Sequence, residues 1–252
     1  MPDRPRIVLG MASSIDGKIT TRERPKLRYG SDEDRRRLEA RRVAADAVLI
    51  GKGQLVSDDP PLLVRSPECR QRRLSERGPE GIHPVNCVVT SRLDLDISSF
   101  EFFNHAETRR VVFTTGAAPA HALALARRHA TVEVVGAAAD GRVDLQSVVR
   151  RMGELGWSFV TLEGGGTLNF AMLQAGLVDE IQLTLCPFVF GGGGGVPTSI
   201  DGDGFPKEAI RKLQLASCET SATGEAFLRY LVEPAPAAIE PAATFSKAFR
   251  VR

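Results

Sequence analysis

Two kinds of hydrophobic rhythm alternate along the chain. Short β-branched runs at Arg6–Leu9, Ala47–Ile50, Val85–Val89, Arg110–Phe113, Thr131–Val135, Ser158–Leu162 and Glu180–Leu185 predict buried strands. Between them lie amphipathic stretches of helical length at Asp32–Ala45, Ala118–His129, Asp144–Leu155 and Leu168–Ala175. Ser31 is placed to cap the first of these, with Asp34 at the reciprocal third position. Gly176 ends the last, as a C-terminal glycine should. Strands alternating with helices predict an α/β fold with a mainly parallel central sheet and helices on both faces. The rhythm changes late in the chain, where Lys212–Ser221 and Glu225–Val232 flank Ala222–Gly224 and read as a long antiparallel hairpin.

No linker-like break interrupts residues 1–232, which are expected to form a single domain. A Pro/Ala-rich tail is expected over residues 233–252. Ser66–Gly81 is polar and Arg-rich, and reads as an exposed excursion or short helix. No aromatic residues interleave with its arginines, so it is a poor nucleic-acid patch. Lys+Arg 33 against Asp+Glu 31 gives a net charge of +2, with no electrostatic case for nucleic acid or membrane partners. Cys69, Cys87, Cys186 and Cys218 are dispersed without CxxC spacing, which argues against a zinc site or a disulfide scaffold. No apolar run approaches the ~20 residues that cross a bilayer, and no signal peptide opens the chain. A cytoplasmic setting is the expectation.

Candidate chemistry concentrates where strands run into glycines. At Glu163-Gly164-Gly165-Gly166-Thr167 a strand meets three glycines and then a helix that Thr167 could cap. Glycines let backbone amides approach an anion, and a helix N-terminus adds its positive dipole end, which suits a phosphate or diphosphate. Glu163 falls at the carboxyl end of its strand, where open α/β sheets hold ligands. Gly51-Lys52-Gly53-Gln54 follows Ala47–Ile50 in the same way, and a long diphosphate could use both junctions. Gly191–Gly195 lacks the Lys-Ser/Thr ending of a P-loop and reads either as backbone against a flat ring or as a flexible loop. His105-Ala106-Glu107 has no P-C-x-x-C after it, so a deaminase-type zinc site is rejected. No G-x-S-x-G elbow supports Ser-His-Asp catalysis. Ser13–Lys18 and Asp58–Arg65 read by themselves as turns and loops.

Taken in order, A-S-S-I-D-G-K-I at 12–19, R-V-A-A-D-A-V-L-I-G at 42–51, S-D-D-P-P-L-L-V-R at 57–65 and L-E-G-G-G-T-L at 162–168 resemble the riboflavin-biosynthesis reductases. The resemblance spans roughly residues 6–232. It implies the three-layer fold of dihydrofolate reductase, a homodimer, NADPH as hydride donor and no metal. The implied reaction reduces the ribosylamino side chain of a pyrimidine 5′-phosphate to ribitylamino. The resemblance places Ser14 and Asp16 at the junction of nicotinamide and substrate, and Ser31, Arg42 and Arg65 on the substrate, the two arginines suiting its phosphate. Asp58 falls on the substrate with Asp59 as the less favoured acid, and Asp58 or Glu163 orients or protonates the sugar. Gly51, Lys52, Gly53, Gln54, Gly164, Gly165, Gly166 and Thr167 fall on the cofactor, as do Ser91 and Arg92, which with Thr90 suit an adenosine 2′-phosphate. Gly10, Gln54 and Gly30-Ser31 depart from the family pattern, and at Gly10 a Lys or Asn contact to substrate is missing. Alternatives are a related reductase of another small substrate and a nucleotide-binding module without turnover. No deaminase segment precedes these motifs, so deamination is expected from another protein.

Overall fold

A computed structural model describes residues 4–234. One nine-stranded sheet has the order β5-β4-β3-β2-β6-β1-β7-β9-β8. Its strands are β1 (Arg6–Ser14), β2 (Ala47–Gly51), β3 (Val85–Val89), β4 (Arg110–Thr115), β5 (Thr131–Val135), β6 (Phe159–Leu162), β7 (Glu180–Cys186), β8 (Leu213–Thr220) and β9 (Ala226–Val232). Neighbours from β5 through β7 run parallel, and β9 and β8 add antiparallel. This is the mainly parallel sheet with a terminal hairpin that the pattern predicts. The expected tail lies almost wholly outside the described residues.

Strand periodicity splits the core in two. Ala47, Leu49, Ile7, Leu9 and Val160 face α6 (Leu145–Glu154) and α7 (Gly166–Gln174), meeting Val148, Met152 and Met172. Val48, Ile50, Val88 and Val112 face the other way, onto α2 (Lys52–Asp58), α4 (Glu101–Asn104) and α5 (Ala120–Ala126) through Leu55, Phe102, Phe103 and Ala122. Both faces are thus covered, as buried parallel strands require. α1 (Asp32–Ala44) and α3 (Pro67–Arg77) complete the helices.

Several boundaries differ from the sequence expectation. β1 runs five residues beyond Leu9, because Gly10–Ser14 pair in register with Gln182–Cys186 although only Met11 among them has a large side chain. Lys52–Asp58, directly after the Gly51 junction, is a seven-residue helix that the pattern does not predict. Ser31 does cap α1 through the amide of Asp34. The reciprocal bond comes from elsewhere: the Ser31 amide and hydroxyl both donate to Glu225 in the hairpin turn. Ser66–Gly81 contains α3, and its Arg73 is fully buried rather than exposed. Arg73 donates to the carbonyls of Gly81, Arg42, Val43 and Ala45, closing the C-terminal end of α1.

Candidate active site

The two glycine junctions adjoin. β2 and β6 are neighbours, the Glu163 amide donates to Leu49 O, and the Gly51 amide donates to Gly164 O at 2.8 Å. Gly164 has φ +108°, a conformation that L side chains avoid, and the peptide between Gly164 and Gly165 is cis. The cap of α7 is Gly165 rather than Thr167, which lies inside the first helical turn, so no side chain covers the leading amides.

What each glycine does differs. A Cβ on Gly166 would lie 2.4 Å from Thr198 O, and one on Gly51 would press Leu168 at 3.3 Å, so these two serve close packing. Gly53 meets nothing within 4 Å, and Gly165 meets only Gln54 Oε1 at 3.5 Å. Those two open onto a cleft of about 940 Å³. Lys52, Gln54, Asp58, Thr90, Ser91, Arg92, Gly166 and Thr167 line it too. The lining also includes Thr20, Arg24, Lys26, Arg28, Asp94 and Arg142, none of which the sequence singles out. Those residues sit in irregular segments with no motif to flag them. The run Gly191–Gly195 does not line the cleft.

The cleft fits an extended phosphorylated ligand in size and donor chemistry. Thr20 and Thr90 line it, and their buried hydroxyls have no hydrogen-bond partner. Lys52 Nζ reaches Asp94 at 2.6 Å, and the Gln54 amide donates to Asp58. Asp59, by contrast, has φ +42° and accepts from the amides of Glu101 and Phe102 at 2.8 and 3.0 Å. It caps α4, leaving Asp58 as the acid that faces the cleft.

Glu163 forms a two-pronged ion pair with Arg42. Nε donates to Oε1 at 2.9 Å and Nη2 to Oε2 at 2.6 Å, with side-chain exposures of 12% for Arg42 and 7% for Glu163. Burial works against the Arg42 charge, but Glu163 more than offsets it and holds the guanidinium above its ordinary range. Nη1 of Arg42 donates to Leu63 O, so all three guanidinium nitrogens make a hydrogen bond. Arg65 is exposed, its amide held by Glu39. Arg41 fills the space left by the missing side chain at Gly10, where a Cβ would fall 2.4 Å from its Nε. Burial depresses the Arg41 pKa.

Ser14 and Asp16 brace the turn after β1. The Ser14 hydroxyl donates to Asp16 Oδ1 at 2.6 Å and accepts from the Lys18 amide. Asp16 also accepts from the amides of Phe190 and Gly191. The Ser14 bond, aided by those amides, holds its carboxyl below the ordinary range. Nearby, burial raises Asp34 and pushes the Cys186 thiol up to about 12. Ser31 is occupied by Glu225, as described above.

Residues 5–227 match the family model described as the RibD C-terminal domain. The chain is 34% identical over 212 residues to the 2,5-diamino-6-ribosylamino-4(3H)-pyrimidinone 5′-phosphate reductase of Archaeoglobus fulgidus, covering 84% of this chain and 93% of that one. It is 33% identical to the protein of the same name from Methanothermobacter thermautotrophicus, covering 82% and 90%. Its fold superposes on Acinetobacter baumannii RibD with a TM-score of 0.70 at 19% identity, over 91% of this chain and 58% of that one. A pyrimidine reductase-like protein from Corynebacterium diphtheriae gives 0.71 at 19% identity, over 92% and 93%. With its glycine-walled cleft and its buried Glu163–Arg42 pair, the chain belongs to the RibD C-terminal domain family.

Proposed function

We propose that this chain is an NADPH-dependent reductase that converts the ribosylamino side chain of a pyrimidine 5′-phosphate to ribitylamino in riboflavin biosynthesis. Residues 1–232 act as one catalytic unit in a cytoplasmic homodimer. The names of its relatives support the reaction class. The observation that carries the reading is one cleft lined both by the uncapped start of α7 and by Asp58, with Glu163 two residues before Gly165 in the chain.

When bound, the nicotinamide supplies hydride to the sugar carbon. The residues that would hold the cofactor are Gly53, Gly165, the leading amides of α7, Lys52, Thr90, Ser91 and Arg92. The switch in strand order at β2-β6-β1 supports a reacting end near the carboxyl ends of β6 and β1. There Asp58 presents a carboxylate to the substrate, and Glu163 manages the proton at the opened ribose. Arg42 fixes the Glu163 carboxylate in one orientation through its two-pronged ion pair. Because Arg42 is paired with Glu163 and its side chain is only 12% exposed, the substrate phosphate falls to Arg24, Lys26 and Arg28 of the cleft and to Arg65. Arg24, Lys26 and Arg28 make no ion pair among the described residues, and Arg24 donates only to Gly195 O.

NADPH binding followed by cofactor fluorescence tests the cleft. The wild type is expected to bind, and Gly53→Leu, which fills open space, is expected to bind at least about tenfold more weakly at unchanged Tm. Absence of binding by the wild type would contradict the reading.

A further inference from the structure

We propose that Arg142, acting with Arg92, selects the cofactor by gripping a phosphate on its adenosine ribose. The inference rests on the nicotinamide-cofactor reading of the cleft and adds a specificity-determining residue from a separate element. If the reacting end lies at β6 and β1, the diphosphate falls at α7 and β2, and the adenosine reaches β3. Two strand spacings, roughly 10 Å, separate β6 from β3. The segment that follows β3 is Thr90-Ser91-Arg92.

A turn from beyond β5 is tied onto that segment. Ala137 and Val143 bridge antiparallel, Ala138 and Gly141 close the turn, and Gly141 takes φ +79°. The Val143 amide donates to Ser91 Oγ at 3.2 Å, which fixes Arg142 beside the Arg92 wall of the cleft. Both arginines line the cleft and are exposed. Arg92 makes no hydrogen bond or ion pair among the described residues. Arg142 has one carboxylate nearby, Asp140 at 3.6 Å, and that acid already accepts from the Arg142 amide at 2.9 Å. The other acid there, Asp94, is taken by Lys52. Two guanidinium groups therefore remain with donors uncommitted, on two loops joined by the bond between Val143 and Ser91. A phosphate monoester accepts several charge-assisted bonds from such a pair, whereas a bare ribose hydroxyl offers neither the charge nor the oxygens.

Calorimetric titration with adenosine 2′,5′-bisphosphate and adenosine 5′-monophosphate isolates this contact from the chemistry. The wild type is expected to prefer the bisphosphate by tenfold or more. Arg142→Ala is expected to lose at least about fivefold of that preference, Arg92→Ala a comparable part, and Arg142→Lys less than Arg142→Ala. NADPH-over-NADH selectivity in kcat/KM should fall in the same order. A preference unchanged in Arg142→Ala at wild-type Tm overturns the role of Arg142 while leaving the cofactor reading standing. Failure of the wild type to bind either nucleotide overturns both.

Discussion

Glu163 and Arg42 neutralise each other at low exposure, so neither can be changed alone without leaving a buried charge unpaired. Glu163→Gln is expected to lower kcat by about 100-fold or more while NADPH affinity changes little, as steady-state and binding measurements would show. Asp46 offers a pH test remote from the cleft. Burial works to raise its pKa, but Arg77 and the amides of Phe159 and Ser158 outweigh that and hold it below its ordinary value of 3.8. A carboxylate depressed on folding stabilises the protein above the unfolded pKa, and that contribution is lost as pH falls through the folded one. Asp46→Asn should therefore cost about 1–3 kcal/mol at neutral pH, and the gap in thermal stability should close below pH 3.8. Residue identity alone carried part of this. Asp58 and Asp59 are the same acid in sequence, and only the positive φ of Asp59 and its bonds to α4 tell them apart. Ser14, Asp16 and Ser31 were legible as special positions, yet their hydrogen bonds are largely spent on one another and on loops.

At the scale of elements, the strand-to-glycine junctions stood out in the sequence because few side chains fit such turns. Which glycines pack and which open could not be read there, since that depends on Thr198 and Leu168, far away along the chain or in another element. Gly166→Ala is expected to lower Tm clearly, because its Cβ meets backbone at 2.4 Å, whereas Gly53→Ala should leave Tm unchanged. Thermal melts of the pair separate the two roles. Arg73 shows a second gap between pattern and fold. An Arg-rich run looks solvated, but one arginine turns inward to cap α1, and burial pushes its pKa down to about 10. Arg73→Met leaves four carbonyls without that donor and should cost about 3 kcal/mol or more by denaturant unfolding.

The whole molecule is organised by one sheet whose carboxyl edge carries the cleft and whose far edge is β8. Alternating strands and helices made the parallel half legible, while the glycine, alanine and serines of Gly10–Ser14 hid the length of β1 until β7 supplied the partner. Nearly every β8 residue is exposed, including Leu213 and Leu215, and an open apolar edge invites pairing with another chain. If a second copy covers it, Leu215→Lys should shift sedimentation from dimer toward monomer, and a dimer indifferent to that change would place the interface elsewhere. The proposed reaction requires coupling between cofactor and substrate across the cleft. Its most direct test is the loss of NADPH absorbance when 2,5-diamino-6-ribosylamino-4(3H)-pyrimidinone 5′-phosphate, or its deaminated counterpart, is added. The account predicts substrate-dependent oxidation that Glu163→Gln nearly abolishes. NADPH that binds but is never oxidised with either pyrimidine would contradict it.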